Sequence, residues 1–275
     1  MINTSKFCIV DFETNALDPQ YNQPVSIGAV MIDPRKLTIC EQGTFYSLIK
    51  IIPDEEVEKY NLCKTEQKAL DVNNLKLEDI MAAPPLKKVW GDFTNWMKFH
   101  TPKKDQWEAP IFCGHNKEYD RQISNRIQDG HLNGKIILPN KLLGKTKTAK
   151  AKDEDLAKEY KNLSPYVEPW GFGPEWLFHP ALGLDTQQIS FSMFENCKDP
   201  HRMSLSSIKT FLGFKDIGAH NALVDCLYSA EILVRYLKLI RNVYRDTDFN
   251  TNGESVLGIE SILADKAQKA EECPF

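Results

Sequence analysis

The chain has 275 residues, of which 42% are hydrophobic and 26% are charged, and its formal net charge is −4. These values are ordinary for globular proteins, so they exclude wholesale disorder, and the length suffices for one large core with an insertion or a tail. A protein that enclosed duplex nucleic acid would usually be basic, so any contact with nucleic acid is expected to be local.

Cysteine usage and the lack of long apolar segments predict the compartment. The seven cysteines include no C-x-x-C pair. An odd and scattered set argues against a disulfide framework and favours a reducing environment. The N-terminus lacks the apolar segment of a signal peptide, and no stretch approaches the length of a membrane span. We therefore expect a soluble, cytoplasmic protein with no membrane partner.

Three β-strands are predicted at the beginning of the chain, over 6–13, 24–33 and 37–50. These segments are rich in Val, Ile, Phe and Thr, and the turn-prone stretches "DPQYNQP" and "DPRK" separate them. Short connections between consecutive strands predict an antiparallel meander.

Helical periodicity follows over 55–70 and 84–99. The second segment carries one apolar stripe, which we expect to be core rather than a binding surface. Its members are Leu86, Val89, Trp90, Phe93, Trp96 and Met97.

Strand and helix patterns alternate in the second half of the chain. A short strand is predicted at 109–115, a helix at 118–130, and a strand leading into a helix at 181–190, where Asp185 or Thr186 would cap the helix. A short helix at 203–214 precedes the longest helix, at 220–244, whose predicted apolar face consists of Leu223, Leu227, Ala230, Leu233 and Leu237. The whole pattern predicts an α/β fold in which helices cover a mixed β-sheet.

The predicted domain, 1–245, contains one insertion, and a tail follows it. An insertion at about 131–180 holds six lysines and no acid between 135 and 152, so it is either a solvated loop or a basic segment that meets phosphates. The tail, 246–275, could form one amphipathic helix. Its last residues, "AEECPF", resemble the C-terminal tip by which bacterial single-stranded-DNA-binding proteins dock to partners, although a frayed terminus is the simpler interpretation.

Two acids follow the first predicted strand in "IVDFETNALDP". Residues i and i+2 of a strand point to the same face, so Asp11 and Glu13 project together. Two adjacent carboxylates are unfavourable unless something compensates for their charge, and divalent cations such as Mg²⁺ would do so. Alone, the D-x-E pattern is a weak signal, because many strands carry one by chance on a solvated edge, and that is the better interpretation of the pattern by itself.

Two later motifs make a metal site the better interpretation. "GHNKEYD" places Asp120 near the start of a helix that follows a strand, and "AHNALVDCLYSAEIL" carries His220 and Asp225 at the opening of the longest helix. Four carboxylates and one imidazole are a set that can hold two metal ions and activate a water molecule.

The three motifs, D-x-E, H-N-x-x-[FY]-D and H-x-A-x-x-D, resemble in order and spacing those of the DEDDh 3′–5′ exonucleases, in the DnaQ-like group of the ribonuclease-H-like superfamily. The resemblance covers about 5–240 apart from the insertion. It implies a ribonuclease-H-like fold and a two-metal reaction with Mg²⁺, for which Mn²⁺ could substitute. It also implies the site residues: Asp11, Glu13, Asp120 and Asp225 as metal ligands, and His220 as general base. Tyr119 departs from the commoner Phe, and Cys226 from the frequent Ala.

The same resemblance implies the substrate and its contacts. The enzyme would hydrolyse terminal phosphodiester bonds of single-stranded nucleic acid, with DNA favoured over RNA, and release nucleoside 5′-monophosphates. Thr14, Leu17 and Asn116 would touch the substrate, although Leu17 could instead be a hairpin core residue. Two alternatives stay open: an exoribonuclease of the oligoribonuclease type, and an inactive nucleic-acid-binding module. His115 could be packed or in contact with substrate, and Asp185 is expected to be a helix cap only.

Overall fold

A mixed five-stranded β-sheet organises the chain. The computed structural model describes residues 5–101, 106–128, 177–198, 202–215, 220–241 and Gly258. The strands are β1 (Phe7–Thr14), β2 (Pro24–Asp33), β3 (Thr38–Leu48), β4 (Ile111–Gly114) and β5 (Gly183–Asp185). Their order in the sheet is β3-β2-β1-β4-β5. The first three strands pair antiparallel, and β4 joins β1 and β5 in parallel. The predicted meander and the predicted mixed α/β sheet are both confirmed.

Seven α-helices accompany the sheet within the described ranges. They are α1 (Gln67–Val72), α2 (Leu77–Ala82), α3 (Leu86–His100), α4 (Lys117–Gln128), α5 (Thr186–Phe194), α6 (Leu205–Phe211) and α7 (Ala222–Arg241), and 3₁₀ turns lie at Val57–Tyr60 and Gln106–Glu108. Among these helices, none combines the length and the apolar character that crossing a membrane requires.

The alternation of side chains along β1 divides the core into two layers. Cys8, Val10 and Phe12 face one side, where they pack with the apolar stripe of α3. Phe7 and Ile9 face the other side, where they pack with α7. The α3 stripe is core, as predicted: all but one of its six members are buried, and the indole N–H of the partly buried Trp96 donates to the carbonyl of Gln42 at 2.9 Å.

Helix α7 is buried on more sides than its sequence predicts. The predicted apolar face is indeed buried, but so are most residues of the opposite face, including Glu231 and Arg235. The physical reason is that α7 lies between the sheet and the helices α5 and α6, so little of its surface reaches water. The buried charges are paired, since Nε of Arg235 lies 3.1 Å from a carboxylate oxygen of Glu231.

The segment 55–70 is not the continuous helix that its periodicity predicts. A 3₁₀ turn ends at Asn61, whose φ of 53° is left-handed, and α1 begins only at Gln67. Between them, tertiary hydrogen bonds replace helical ones, because the backbone N–H of Cys63 donates to the carbonyl of Tyr21 and that of Glu66 donates to the carbonyl of Asn15. The chain is thereby drawn against the loop that follows β1.

The predicted insertion and tail lie almost wholly outside the described residues, which resume at 177 and end at 241 apart from Gly258. The domain boundaries, the lysine-rich stretch and the "AEECPF" terminus therefore remain sequence predictions.

Gly28 sets the distance between the sheet and α7. A Cβ atom at this position would lie 2.3 Å from the backbone carbonyl of Ala222, at the first residue of α7. We expect Gly28→Ala to lower the free energy of unfolding by about 3 kcal/mol or more, because neither backbone can yield without moving the helix. Urea denaturation would measure the loss. Gly183→Ala is the control, since its Cβ would approach nothing closer than 3.3 Å, and an equal loss there would contradict a steric cause.

Candidate metal centre

Three carboxylates converge at the end of β1. Asp11 and Glu13 point to the same face of this strand, and Asp225 lies in the first turn of α7, which packs on that face. Each residue offers an oxygen atom within 4.8 Å of the oxygens of the other two. No second group of this kind occurs in the described ranges. Convergence at this spacing is what a shared cation requires.

Asp120 reaches the same strand end from the other side of the sheet. It belongs to the first turn of α4 and is only 3% exposed. One of its carboxylate oxygens accepts a hydrogen bond from the backbone N–H of Phe12 at 2.9 Å. Phe12 lies between Asp11 and Glu13, so this bond holds Asp120 beside the D-x-E pair. The structure thus brings all four predicted carboxylates together, with Asp120 just outside the tight group of three.

The clustered acids raise one another's pKa values. Burial, and then the charges of Asp120, Glu13 and Asp225, raises the pKa of Asp11 well above its ordinary value. Burial also raises the pKa of Asp120 well above its ordinary value, although the Phe12 N–H opposes this. The pKa of Glu13 rises from 4.5 to about 7, through burial and the charge of Asp225. Protons or cations are therefore needed to compensate for the charge of this cluster.

The raised pKa of Glu13 predicts how the stability of the metal-free protein depends on pH. The folded state holds the Glu13 proton more tightly than the unfolded state does. The contribution of Glu13 to stability is therefore greatest below pH 4.5, and it declines as pH rises through about 7. At about 1.4 kcal/mol for each pH unit, and with allowance for solvent at this partly exposed carboxyl, the decline is about 2 kcal/mol. Chemical denaturation between pH 5 and pH 8 in chelator would measure it. Glu13→Gln should flatten the profile, and an unchanged slope in that variant would contradict the assignment.

His220 lies two residues before α7, at the open side of the acid cluster. It is exposed and has a φ of 57°. A left-handed conformation is uncommon in non-glycine residues, although histidine adopts it more often than most, and it costs about 1 kcal/mol or more, so the surrounding structure must hold it there. Its nearness to Asp225 appears in the pKa of that carboxyl: burial raises it, whereas Lys209 and His220 act against the rise.

Lys209 is a charged neighbour of the site that sequence reasoning did not identify. It lies on α6, is only 8% exposed, and has its ammonium group 4.0 Å from the centre of the Tyr228 ring. Its positive charge favours the ionised form of Asp225. A lysine among the apolar positions of a short helix was the only available signal, and lysines at such positions usually extend into solvent without any role in a site.

The loop after β1 is pinned by hydrogen bonds. The Thr14 hydroxyl donates to the carbonyl of Ala16 at 2.9 Å and lies 2.9 Å from the hydroxyl of Tyr119 on α4. The same tyrosine hydroxyl accepts from the amide of Asn22 at 2.7 Å, and Arg126 donates to that residue's carbonyl and side-chain oxygens. Tyr119, which the sequence marked only as a departure from Phe, thus connects the two ends of the loop.

The predicted substrate residues differ in exposure. Leu17 is 80% exposed, so it is not a hairpin core residue, whereas Thr14 is 8% exposed and engaged in the loop network. Asn116 is exposed and left-handed, with a φ of 61°, immediately before α4. A contact of any of these residues with substrate remains a prediction.

Two other polar residues have structural roles. Asp185 caps α5, as predicted, by accepting hydrogen bonds from the backbone N–H groups of Gln187 and Gln188. It also accepts from the N–H groups of Asn116 and Lys117 at the beginning of α4, each at 3.1 Å. The two ring nitrogens of His115 are engaged with the Thr186 hydroxyl and the Met203 carbonyl, so His115 is a packed histidine.

No protein-family model and no curated protein sequence matches the chain. Solved structures do match its fold. Escherichia coli exonuclease I in complex with a dT13 oligonucleotide is 14% identical, with a TM-score of 0.54 over 87% of this chain and 42% of exonuclease I. A zinc-bound form of that enzyme with single-stranded DNA gives 13% identity and a TM-score of 0.51 over the same shares. A 3′-exonuclease that recognises the histone mRNA stem-loop gives 12% identity and a TM-score of 0.52, over 86% of this chain and 66% of that one.

These similarities confirm the predicted fold class and agree with the family resemblance that the three motifs carry. The chain spans about two fifths of the length of exonuclease I and just under two thirds of that of the histone mRNA exonuclease. At such low identity, what transfers to this chain is the fold.

The donor set itself indicates the kind of metal that would fit. It consists of carboxylate oxygens, without cysteine and with one exposed histidine at its margin. Hard divalent cations prefer such oxygen ligands, whereas zinc and copper sites usually draw on several histidine or cysteine ligands.

Proposed function

We propose that this chain is a 3′–5′ exonuclease that depends on divalent metal ions, normally Mg²⁺. It would remove nucleotides from the 3′ end of single-stranded nucleic acid, with DNA favoured, and release nucleoside 5′-monophosphates. The observation that carries the proposal is the convergence of Asp11, Glu13 and Asp225 within 4.8 Å at the end of β1. Asp120 and His220 at the same place complete the set, and the fold is shared with solved exonucleases.

The four carboxylates would hold the metal ions, and His220 would act as a base. When bound, the ions would supply positive charge for the phosphodiester oxygens and make water more acidic. His220 would accept a proton from the water that attacks the terminal phosphorus. The bond from phosphorus to the 3′ oxygen then breaks, and that oxygen leaves with a proton from solvent. An imidazole suits this role because its ordinary pKa is about 6.5.

Leu17 and the pinned loop would receive the terminal nucleotide. An exposed leucine on a loop that is fixed by Tyr119 and Arg126 is pre-organised to press against a base, because little ordering remains to be done on binding. Thr14 would support this loop through the hydrogen bond that its hydroxyl donates to the Ala16 carbonyl. Asn116, exposed at the start of α4, would meet the strand that leads to the 3′ end.

The choice between DNA and RNA is an alternative within the same proposal. A protein tells the two apart by contacts to the 2′-hydroxyl. Fold neighbours include one enzyme in complex with single-stranded DNA and one that recognises histone mRNA. Partner docking through the terminal "AEECPF" is a separate hypothesis, which deletion of those six residues would test in a pull-down with candidate partners.

The deciding experiment is a degradation assay on 5′-labelled single-stranded DNA and RNA of the same sequence. Mg²⁺ should yield a ladder that shortens from the 3′ end, Mn²⁺ should replace it, and chelator should stop the reaction. The faster ladder identifies the preferred sugar. Degradation that continues in chelator, or that releases internal fragments, would exclude the proposed reaction. Tight binding of the labelled strand without cleavage would favour an inactive binding module instead.

A further inference from the structure

His220 is an exposed residue with a left-handed backbone, so its position depends on the residues around it. Its left-handed backbone is unfavourable for a non-glycine residue, and the residue is exposed. A general base must nevertheless be held within a fraction of an ångström of its working position. Neighbouring residues must therefore hold the chain near His220.

On the C-terminal side, the chain is fastened to the sheet. Asn221 caps α7, since its side-chain oxygen accepts from the backbone N–H groups of Leu223 at 3.1 Å and Val224 at 3.3 Å. The next residue, Ala222, packs directly against Gly28 of β2. Gly28 pairs with Asp11 on one side and with Tyr46 of β3 on the other. Directly paired residues share a face, so Tyr46 lies on the same face of the sheet as Asp11 and α7.

Tyr46 also acts on Asn221 directly. The Asn221 side chain is a hydrogen-bond partner of the tyrosine hydroxyl, and this contact opposes the rise that burial causes in the pKa of Tyr46. The ring itself remains 37% exposed. Its hydroxyl therefore reaches inward to the residue next to His220, although the side chain belongs to an edge strand.

On the N-terminal side, a second tyrosine fixes the chain. The hydroxyl of Tyr228, on α7, donates to the backbone carbonyl of Lys215 at 2.6 Å. The direction of this hydroxyl is set by packing, because the buried ring stacks on Phe214 with centroids 5.7 Å apart and carries the Lys209 ammonium at 4.0 Å on its π system. Only four residues separate Lys215 from His220.

We propose that Tyr46 and Tyr228 are positioning residues for His220: Tyr228 holds the chain at Lys215, the nearest described residue on the N-terminal side, and Tyr46, through Asn221, holds the residue that follows His220. Neither tyrosine is a ligand of the metal ions or a proton carrier. The inference rests on the proposed function, since it assigns to two further residues a role in the placement of the proposed base.

The test is a double-mutant cycle with His220. Tyr46→Phe and Tyr228→Phe remove one hydroxyl each and keep the rings, and each is made in the wild-type chain and in a His220→Ala chain. In the wild-type background we expect kcat to fall on the order of tenfold with KM changed less than about twofold, because a displaced base slows chemistry without weakening strand binding. In the His220→Ala background, single-turnover rates should show no further loss from either change.

The matched control is Tyr236→Phe, a partly buried tyrosine on the distal part of α7. A readout independent of turnover is the imidazole ¹H–¹³C NMR signal of His220, assigned by its absence in His220→Ala. It should shift or broaden in the two positioning variants and remain in place in Tyr236→Phe.

The outcomes separate this inference from the proposed function. If His220→Ala keeps full activity, the assignment of the base fails, and the positioning role fails with it. If His220→Ala is impaired but both tyrosine variants keep full kcat and an unchanged His220 signal, the positioning role alone is wrong. Equal losses of rate in the wild-type and His220→Ala backgrounds would reveal a general structural effect and overturn the inference. A change in KM alone would show that Tyr46 touches substrate, which would also overturn it.

Discussion

Asp11→Asn is expected to lower the exonuclease rate by about 10³-fold or more while making the metal-free protein more stable. The loss of rate follows because a metal ion contributes several kcal/mol of charge stabilisation in such reactions, and each 1.4 kcal/mol corresponds to a factor of ten. Asparagine has nearly the same shape as aspartate but cannot neutralise a cation. The assay on labelled single-stranded DNA, run under single-turnover conditions, would measure the difference.

The gain in stability has a separate cause. Burial and three neighbouring carboxylates raise the pKa of Asp11, which means that its ionised form is unfavourable in the folded protein. The folded state therefore holds that proton more tightly, and the associated stability is lost as pH rises above the ordinary range of a carboxyl. At pH 8 in chelator, Asp11→Asn should therefore raise the free energy of unfolding.

Metal ions should reverse the order of stability of the wild-type chain and Asp11→Asn. Excess Mg²⁺ or Mn²⁺ should raise the Tm of the wild-type chain, because a ligand that binds only the folded state stabilises it. The variant should show little or no such rise. Asp92→Asn serves as control, since this aspartate is exposed on α3 and pairs only with Lys88 within the described residues. An Asp11→Asn variant that stays fully active, and whose Tm still rises with metal as that of the wild type does, would refute the metal role of Asp11.

His220→Ala is the second change with a large expected effect. Loss of a general base usually lowers kcat by about 10² to 10⁴, and KM should change little. The rise in Tm on addition of Mg²⁺ should persist, because the carboxylates remain in place. This contrast distinguishes the base from the ligands. Asp11→Asn should lose both the exonuclease rate and the rise in Tm with Mg²⁺, whereas His220→Ala should lose only the rate.

Chemical rescue would sharpen that assignment. Added imidazole should restore part of the lost rate in His220→Ala, since the site is exposed at this position. A variant that keeps the wild-type kcat without imidazole would show that another group accepts the proton.

The sheet could be predicted well from the sequence because its strands are bounded by strong turn signals. β1, β2 and β3 lie in segments rich in Val, Ile, Phe and Thr, and "DPQYNQP" and "DPRK" separate them. The segment 55–70 could not be predicted in the same way. Its helical periodicity competes with tertiary hydrogen bonds to Tyr21 and Asn15, and a local pattern contains no information about partners more than 40 residues away in the chain.

The burial of α7 shows the same limit. Its predicted apolar face is buried, but the spacing gave no indication that Glu231 and Arg235, which lie outside that face, are buried as well. They are buried because α6 and Phe214 cover them, with the Arg235 guanidinium 4.8 Å from the Phe214 ring. Which elements cover a helix is decided by topology, and spacing along one helix cannot reveal it.

The sequence alone determined which residues would form the site. Asp11 and Glu13 share a strand face by the two-residue period of a β-strand, and the motifs around Asp120, His220 and Asp225 place their side chains at helix starts. The tertiary structure decided that α4 and α7, on opposite faces of the sheet, meet at one strand end, where oxygens of Asp11, Glu13 and Asp225 lie within 4.8 Å and Asp120 is held beside them. It also decided what surrounds them: Gly28 against Ala222, Tyr119 across the loop, Tyr46 beside Asn221, and Tyr228 at Lys215. Ligand identity is encoded locally because it depends on residue type and spacing. Support comes from residues far apart in the chain, so only the folded arrangement reveals it.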